Sequence, residues 1–369
     1  MKIADYRKEF YSGLEGEQRC KGIRLAIDSA LEKQDIDNAL HLYYLYCQED
    51  TFNGDGYMSV VIFPEYLALF EKYPEYQTQH HYHLMWAYKW INETASEFHQ
   101  VSYQQMTDIL INYERLCKKF SYNLKTYYRT VWNVMYDNGI PCIEGIGSIR
   151  ECHEKMLQYP RDDLSEIPSG ECDDEVKYLL FVEKNVDKAL KKAKLIFNGK
   201  LYCSEVPHYT YTNFACCYFE NGDLTNAKLY ADKAVRIIIE DYGYSNTMIY
   251  YKGKCLLVLA YTDLPKALKI FRKQYPEFLK HKNGEACFYF YLGSYHTMKQ
   301  LEQQGQKTVN LKLPSDCEIY RKSGVYQISD MKRHLYDKAN EIAQKFDERN
   351  RNSFFGDMLK KDCGQEQQR

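Results

Sequence analysis

Several places in the chain put metal-ligating, acidic or nucleophilic side chains at spacings that could support chemistry. His80-His81-Tyr82-His83 holds two imidazoles three residues apart, on one face if the segment is helical, where a third ligand from elsewhere would complete a transition-metal site. No third ligand lies close in sequence, and the run leads into Trp86 and Trp90, so its expected role is polar packing beside aromatics. His153-Glu154-Lys155-Met156-Leu157 begins like a zinc-protease helix but carries Leu157 where the second histidine belongs, leaving Glu154 without a metal-bound water to activate. Asn53-x-Asp55-Gly56 has the middle of a calcium loop, with Thr51 and Ile62 where its first and last carboxylates should stand, and reads as a turn. Cys152 and His153 are adjacent and so project to different faces of a helix, which separates nucleophile from base. Gly145-Ile146-Gly147-Ser148 lacks a third glycine and a preceding strand and reads as a loop between helices, and no G-x-x-x-x-G-K-[ST] segment exists. The expectation is a non-catalytic protein with no metal and no cofactor, an enzyme built from dispersed side chains being the competing class.

The elements that would position these residues are helices. Apolar residues recur at spacings of three and four, as in Leu84, Ala87, Trp90 and Ile91, or Ile328, Met331, Leu335, Ala339, Ile342 and Phe346. Turn chemistry collects between such runs, at Asn53-Gly54-Asp55-Gly56, Asn138-Gly139-Ile140-Pro141, Ile167-Pro168-Ser169-Gly170 and Asn221-Gly222-Asp223. Strand alternation is confined to Val309-Asn310-Leu311-Lys312-Leu313, before Pro314, which predicts one short extended piece or a small hairpin. At 369 residues the chain exceeds the roughly 250–300 at which a single core stops growing, so two domains or an elongated array are expected.

Charge and cysteine usage narrow the partners. Lys and Arg total 49 against 51 Asp and Glu, a net charge of -2, which excludes a strongly basic nucleic-acid binder. The basic run Lys188, Lys191, Lys192 and Lys194 shares its helix with Ala189, Leu190, Ala193, Leu195 and Ile196 and reads as a solvated outer face without interleaved aromatics. The N-terminus carries no basic helix-turn-helix signature. Thirteen cysteines without a C-x-x-C pair argue against a disulfide framework or a zinc cage and suggest free thiols in a reducing, cytoplasmic setting. Met1 to Phe10 alternates charged and apolar residues, unlike a secretory leader, and the longest apolar run, Cys255 to Tyr261, is far too short to cross a bilayer.

An internal pattern organises the helices. An Asx residue, an aliphatic residue, two variable positions and alanine recur at Asp35-Ile36-x-x-Ala39, Asn185-Val186-x-x-Ala189, Asp223-Leu224-x-x-Ala227 and Asp263-Leu264-x-x-Ala267. The last three alanines are 38 and 40 residues apart, and the 150 residues from Ala39 to Ala189 leave room for about four more units. The Asx side chain can cap the next helix, and the alanine lets that helix approach its predecessor closely. Ala189, Ala227 and Ala267 are therefore expected to be buried within their own helix pairs.

At its best copy the pattern, Tyr211-x-x-Phe214-Ala215-x-x-Tyr218, Gly222-Asp223, then Ala227-x-x-x-Ala231-x-x-Ala234, resembles the tetratricopeptide repeat, departing from it where Ala231 replaces an aromatic and Ile239 stands in the closing-proline position. A second copy keeps Ala267-x-x-x-Phe271 with Pro276, and Ile62-x-x-x-Tyr66-x-x-Leu69 followed by Pro74 looks like the second helix of another unit. The resemblance implies an all-α, right-handed superhelix of helix pairs: divergent repeats over 1–157, a linker or long loop over 158–172, repeats over 173–290, and a cap over 291–369 with a terminal helix at 329–351. It also implies a concave groove lined by the first helix of each pair, here the face Tyr209, Thr212, Cys216, Phe219 and Glu220. Thirty-six tyrosines, amphipathic rings with few torsions to immobilise, suit both packing and partner contact. The implied function is a scaffold binding a protein or extended peptide, as adaptor, regulator or inhibitor, with an intracellular receptor for a signalling peptide or a toxin-neutralising protein as alternatives. Nucleic acid and membrane are not expected partners.

Overall fold

Each turn marked by the repeated pattern is closed by its own Asx side chain. Asp35, Asn185, Asp223 and Asp263 accept from the backbone N–H three residues on, at 3.5, 3.0, 3.0 and 3.2 Å. Before three of them sits a residue in the left-handed region, Gln34, Lys184 or Gly222, with φ of 55°, 56° and 79°. There the preceding helix ends, and the Asp35 and Asp223 N–H groups reach back to the carbonyls of Ala30 and Tyr218 at 2.8 and 2.9 Å. One residue thus stops one helix and starts the next.

The computed structural model describes residues 2–244 and 248–364. The chain divides into two units, Met1–Ser165 with Glu348–Asn352, and Glu166–Asp347 with Ser353–Arg369. In the first, α1 (Ile3–Tyr6) leads through a π-helical turn at Arg7–Tyr11 to α2 (Gly16–Glu32), α3 (Ile36–Asn53), α4 (Tyr57–Lys72), α5 (Gln77–Ser96), α6 (Tyr103–Lys119) and α7 (Lys125–Asp137). A tight hairpin of β1 (Cys142–Ile143) and β2 (Gly147–Ser148) follows, then α8 (Ile149–Leu157). The core of this unit is threaded by a chain of aromatic rings. Tyr43 on α3 stacks on Tyr66 of α4 at 5.6 Å, Phe63 meets Tyr88 of α5 edge-on at 4.6 Å, and Tyr88 stacks on Tyr113 of α6 at 5.6 Å, which reaches Tyr127 of α7 at 6.2 Å. Here the tyrosines are structural.

The second unit runs α9 (Pro168–Phe181), α10 (Val186–Phe197), α11 (His208–Glu220), α12 (Leu224–Tyr242), α13 (Ile249–Thr262), α14 (Leu264–Phe278), α15 (Gly284–Gln303), β3 (Thr308–Asn310), β4 (Val325–Gln327), α16 (Ile328–Asn350) up to Asp347, and α17 (Phe354–Gly364). Helices pack in sequence pairs, α9 with α10, α11 with α12 and α13 with α14, while α11 also packs on α9 and α13, and α13 on α15. Ala189, Ala227 and Ala267 are 0% exposed, as their place in the pattern predicts, and so is Ala39. The aromatic positions of the best copy pack as a group: Tyr211, Phe214 and Tyr218 surround Tyr230 of α12 at 6.0, 5.1 and 5.6 Å. Where α13 crosses α15 the contact is backbone to backbone. A Cβ on Gly253 would lie 2.6 Å from the Phe290 nitrogen, and one on Gly293 would lie 2.5 Å from the Gly253 carbonyl.

The protein is mostly helical, and among the described residues there are two short antiparallel strand pairs. The expected extended piece is one strand of the hairpin β3–β4, which pairs Thr308 with Gln327 and ends at Asn310, so Leu311 to Leu313 lie outside it. The β1–β2 pair corrects the reading of Gly145-Ile146-Gly147-Ser148 as a plain loop. Gly145 and Gly147, at φ of 79° and 123°, turn the chain back on itself, and two-residue strands are too short to leave an alternation signal. Ser148 then caps α8, accepting from the Glu151 N–H at 3.3 Å. The helix expected at 329–351 forms over Ile328–Asn350, and a further helix, α17, follows it. No helix among the described residues is long and apolar enough to cross a membrane.

Candidate functional site

The five residues assigned to a concave face all lie on α11, whose first turn follows Pro207 and whose end is set by the Asn221-Gly222 turn. They do not share one environment. Thr212 is fully buried, a correction to its expected place on an open face: its hydroxyl donates to the His208 carbonyl at 2.9 Å and lies 3.5 Å from Cys255 Sγ on α13. The reason is packing, since α13 covers the middle of this face. Tyr209 and Phe219, one near each end, are half-buried. Tyr209 stacks on Tyr251 with centroids 3.7 Å apart, and Phe219 meets Tyr261 at 5.3 Å. Cys216 is half-buried, and burial pushes its thiol up to about 12, far from the range of a thiolate nucleophile. Glu220 is exposed.

Across α13 and α15 the same surface continues with residues that the repeat pattern did not single out. Tyr250, Lys254, Leu257 and Tyr261, at spacings of four, three and four, lie along one stripe of α13 and are all half-buried. The Lys254 ammonium donates to the Tyr250 hydroxyl and sits over two rings, 4.1 Å from the centroid of Tyr250 and 4.6 Å from that of Tyr289 on α15. At the other end, the Tyr261 hydroxyl and His296 Nδ1 are 2.8 Å apart. Beside this stripe, Lys252 is buried, and desolvation pulls its ammonium down to about 8. The periodic stripe in 250–261 was the signal available in the sequence. It was masked because Lys254 and Cys255 fall where the repeat family has a large apolar and a small residue.

The other candidate residues have structural partners. His153 and Cys152 are buried, with His153 edge-on to Trp132 at 6.1 Å. His81 stacks on Phe120 at 4.9 Å and hydrogen-bonds through Nδ1 to the Tyr122 hydroxyl at 2.9 Å. His80 pairs through Nε2 with Asp37 of α3 at 2.7 Å. Among the described residues no three His, Cys, Asp or Glu side chains are placed to hold a metal ion.

What the surface on α11, α13 and α15 offers is a row of amphipathic rings with one ammonium set among them. Such rings bury area against a ligand at small entropic cost, and their hydroxyls add hydrogen bonds. No family model, curated protein or solved structure matches this chain.

Proposed function

We propose that the chain is a non-catalytic, tetratricopeptide-like scaffold that binds a protein or an extended peptide along the first-helix face of α11, α13 and α15, acting as an adaptor, regulator or inhibitor. The observation that carries the reading is the row of half-buried aromatics on consecutive first helices, Tyr209 and Phe219 on α11 followed by Tyr250, Tyr251 and Tyr261 on α13. Phe214 is fully covered, whereas these rings keep part of their surface, as the packing residues Tyr211 and Tyr218 also do; what sets them apart is their place on the adjoining first helices α11 and α13. Two further features support it: the Asx-capped helix pairs that bring α11 and α13 side by side, and the Lys254 ammonium between Tyr250 and Tyr289, a cation placed to meet a peptide carboxylate or carbonyl.

The test is hydrogen–deuterium exchange on the full chain, alone and with the partner that copurifies with it. Binding along this face slows exchange in 209–220 and 250–261. Protection confined to the first unit, with these segments unchanged, would move the binding site elsewhere.

A further inference from the structure

The third histidine that the sequence around His80 and His83 does not supply comes from the neighbouring helix. His41 on α3 meets His83 of α5 edge-on, with ring centroids 5.1 Å apart, and His80 lies 6.2 Å from His83. Tyr44, one turn along α3, stacks on the His83 ring at 4.4 Å and on Trp90 at 5.7 Å, and Trp90 in turn meets the exposed Phe52 at 5.2 Å. A single carboxylate serves the group. Asp37 accepts from Gln79 at 2.8 Å and pairs with His80 at 2.7 Å, while Nδ1 of His80 and of His83 are buried without a hydrogen-bond partner.

We propose that His41, His80 and His83 form a proton-operated latch between α3 and α5, closed while His41 and His83 are neutral and opened by proton uptake on those two rings as the medium acidifies. The geometry dictates the response. Asp37 is already engaged by Gln79 and His80, so protons on both His41 and His83 would set two cations with ring centroids 5.1 Å apart in a partly desolvated cluster, with no carboxylate paired to either ring. Burial, reinforced by the charges of His41 and His80, pulls His83 down to about 4, and burial together with the charge of His80 lowers His41 against the pull of Asp37. The charged groups acting on the two rings come from α3 and α5 themselves: Asp37, His80 and each other. On the same helices, Tyr82 faces Tyr44, and the Lys89 ammonium lies 3.8 Å from the Trp86 ring centroid. No side chain of α2, α4, α6 or α7 contributes to the shifts of His41 and His83.

The sign follows by linkage. Both rings bind protons more weakly folded than in water, where imidazole titrates near 6.5, so the closed form is at full strength above that pH and loses stability as pH falls toward about 4. Protons therefore select the open form, in which Tyr44 and Trp90 are released from the stack. The latch residues belong to the first unit and the proposed binding residues to the second, with none shared, so either can fail alone.

The test compares wild type with His83→Phe and with the double variant His41→Phe, His83→Phe, both keeping a ring in the stack. Full-length protein is melted at pH 7.5 and pH 5.5, and imidazole resonances are followed by NMR from pH 7.5 down to about pH 3.5, past the value near 4 for His83. The wild-type melting temperature should fall by about 5 °C more than that of the double variant across this interval. His83 should titrate near 4 and His41 below 6.5, together with a shift of the Tyr44 and Trp90 signals. If the double variant does not fold, His83→Phe and the wild-type titration carry the same comparison. Titration of both rings near 6.5 with Tyr44 and Trp90 unmoved would overturn the latch. So would a zinc-dependent rise in melting temperature at pH 7.5 that His83→Phe abolishes, since that would make the cluster a metal site.

Discussion

Asp173 on α9 is a carboxyl with almost no access to water, and its hydrogen bond from the Thr210 hydroxyl does not make up for the loss of solvent. Burial first, then the neighbouring charges of Asp174 and Glu205, raise it to about 7 against the opposing effects of Thr210 and Lys177. A carboxyl raised in the folded state is most compatible with the fold below its ordinary value near 4, and its contribution is lost as pH climbs toward 7. Asp173→Asn, which keeps an acceptor for Thr210, should therefore stabilise the protein at pH 8 by on the order of 2 kcal/mol and make little difference at pH 4. Denaturant titrations at the two pH values measure this. A second residue-scale contrast lies on the helix surfaces. Ala227 is fully buried where α12 packs on α11, and a leucine there should overpack the pair at a cost of about 1–3 kcal/mol. Lys191 is exposed, and Lys191→Ala should change stability by less than about 0.5 kcal/mol. Equal melting shifts for the two would mean that the buried face of these helices has been misassigned.

At the scale of elements, the crossing of α13 and α15 depends on two glycines. Gly253→Ala places a methyl group against the Phe290 backbone, which has no flexible end to move aside, so the helices must separate. A loss of about 1–3 kcal/mol is expected, read as a lower melting temperature, and an unchanged melt would show that the two helices can slide apart freely. The elements were also the most legible part of the sequence. Asp35, Asn185, Asp223 and Asp263 announced their helices because capping is local, set by a side chain and an N–H three residues away. The alanines were legible because they stand at a fixed offset from each cap, and the apolar residues of α16 because they recur at spacings of three and four, with Ile328, Met331, Leu335, Ala339 and Phe346 buried. What covers a helical face is not local. Thr212 shares its stripe with Tyr209 and Phe219, and only the position of Cys255, 43 residues on, decides that it is buried while the other two keep part of their surface. The β1–β2 pair and α17 escaped notice because short elements carry too few periods to read.

Across the whole molecule, the histidine cluster of the first unit and Asp173 of the second should respond to pH in opposite directions, while buried His208 of the second unit, also lowered to about 4, adds to the loss on the acid side. The histidine cluster between α3 and α5 weakens the first unit as pH falls below 6.5, while Asp173 weakens the second as pH rises from about 4 to about 7. The candidate site was half legible at this scale. The repeat pattern pointed to α11 and to Tyr209 and Phe219, whereas Tyr250, Tyr251, Lys254 and Tyr261 emerged only once α13 lay beside it. The central claim, that this row of rings grips a partner, is tested most directly by isothermal titration calorimetry of the Tyr209→Ala, Phe219→Ala double variant against the partner that copurifies with the wild type. Affinity should fall about 30-fold or more, equivalent to about 2 kcal/mol, while circular dichroism stays that of a folded helical protein because Tyr211, Phe214 and Tyr218 still pack around Tyr230. An unchanged Kd in a variant that remains folded would contradict the account.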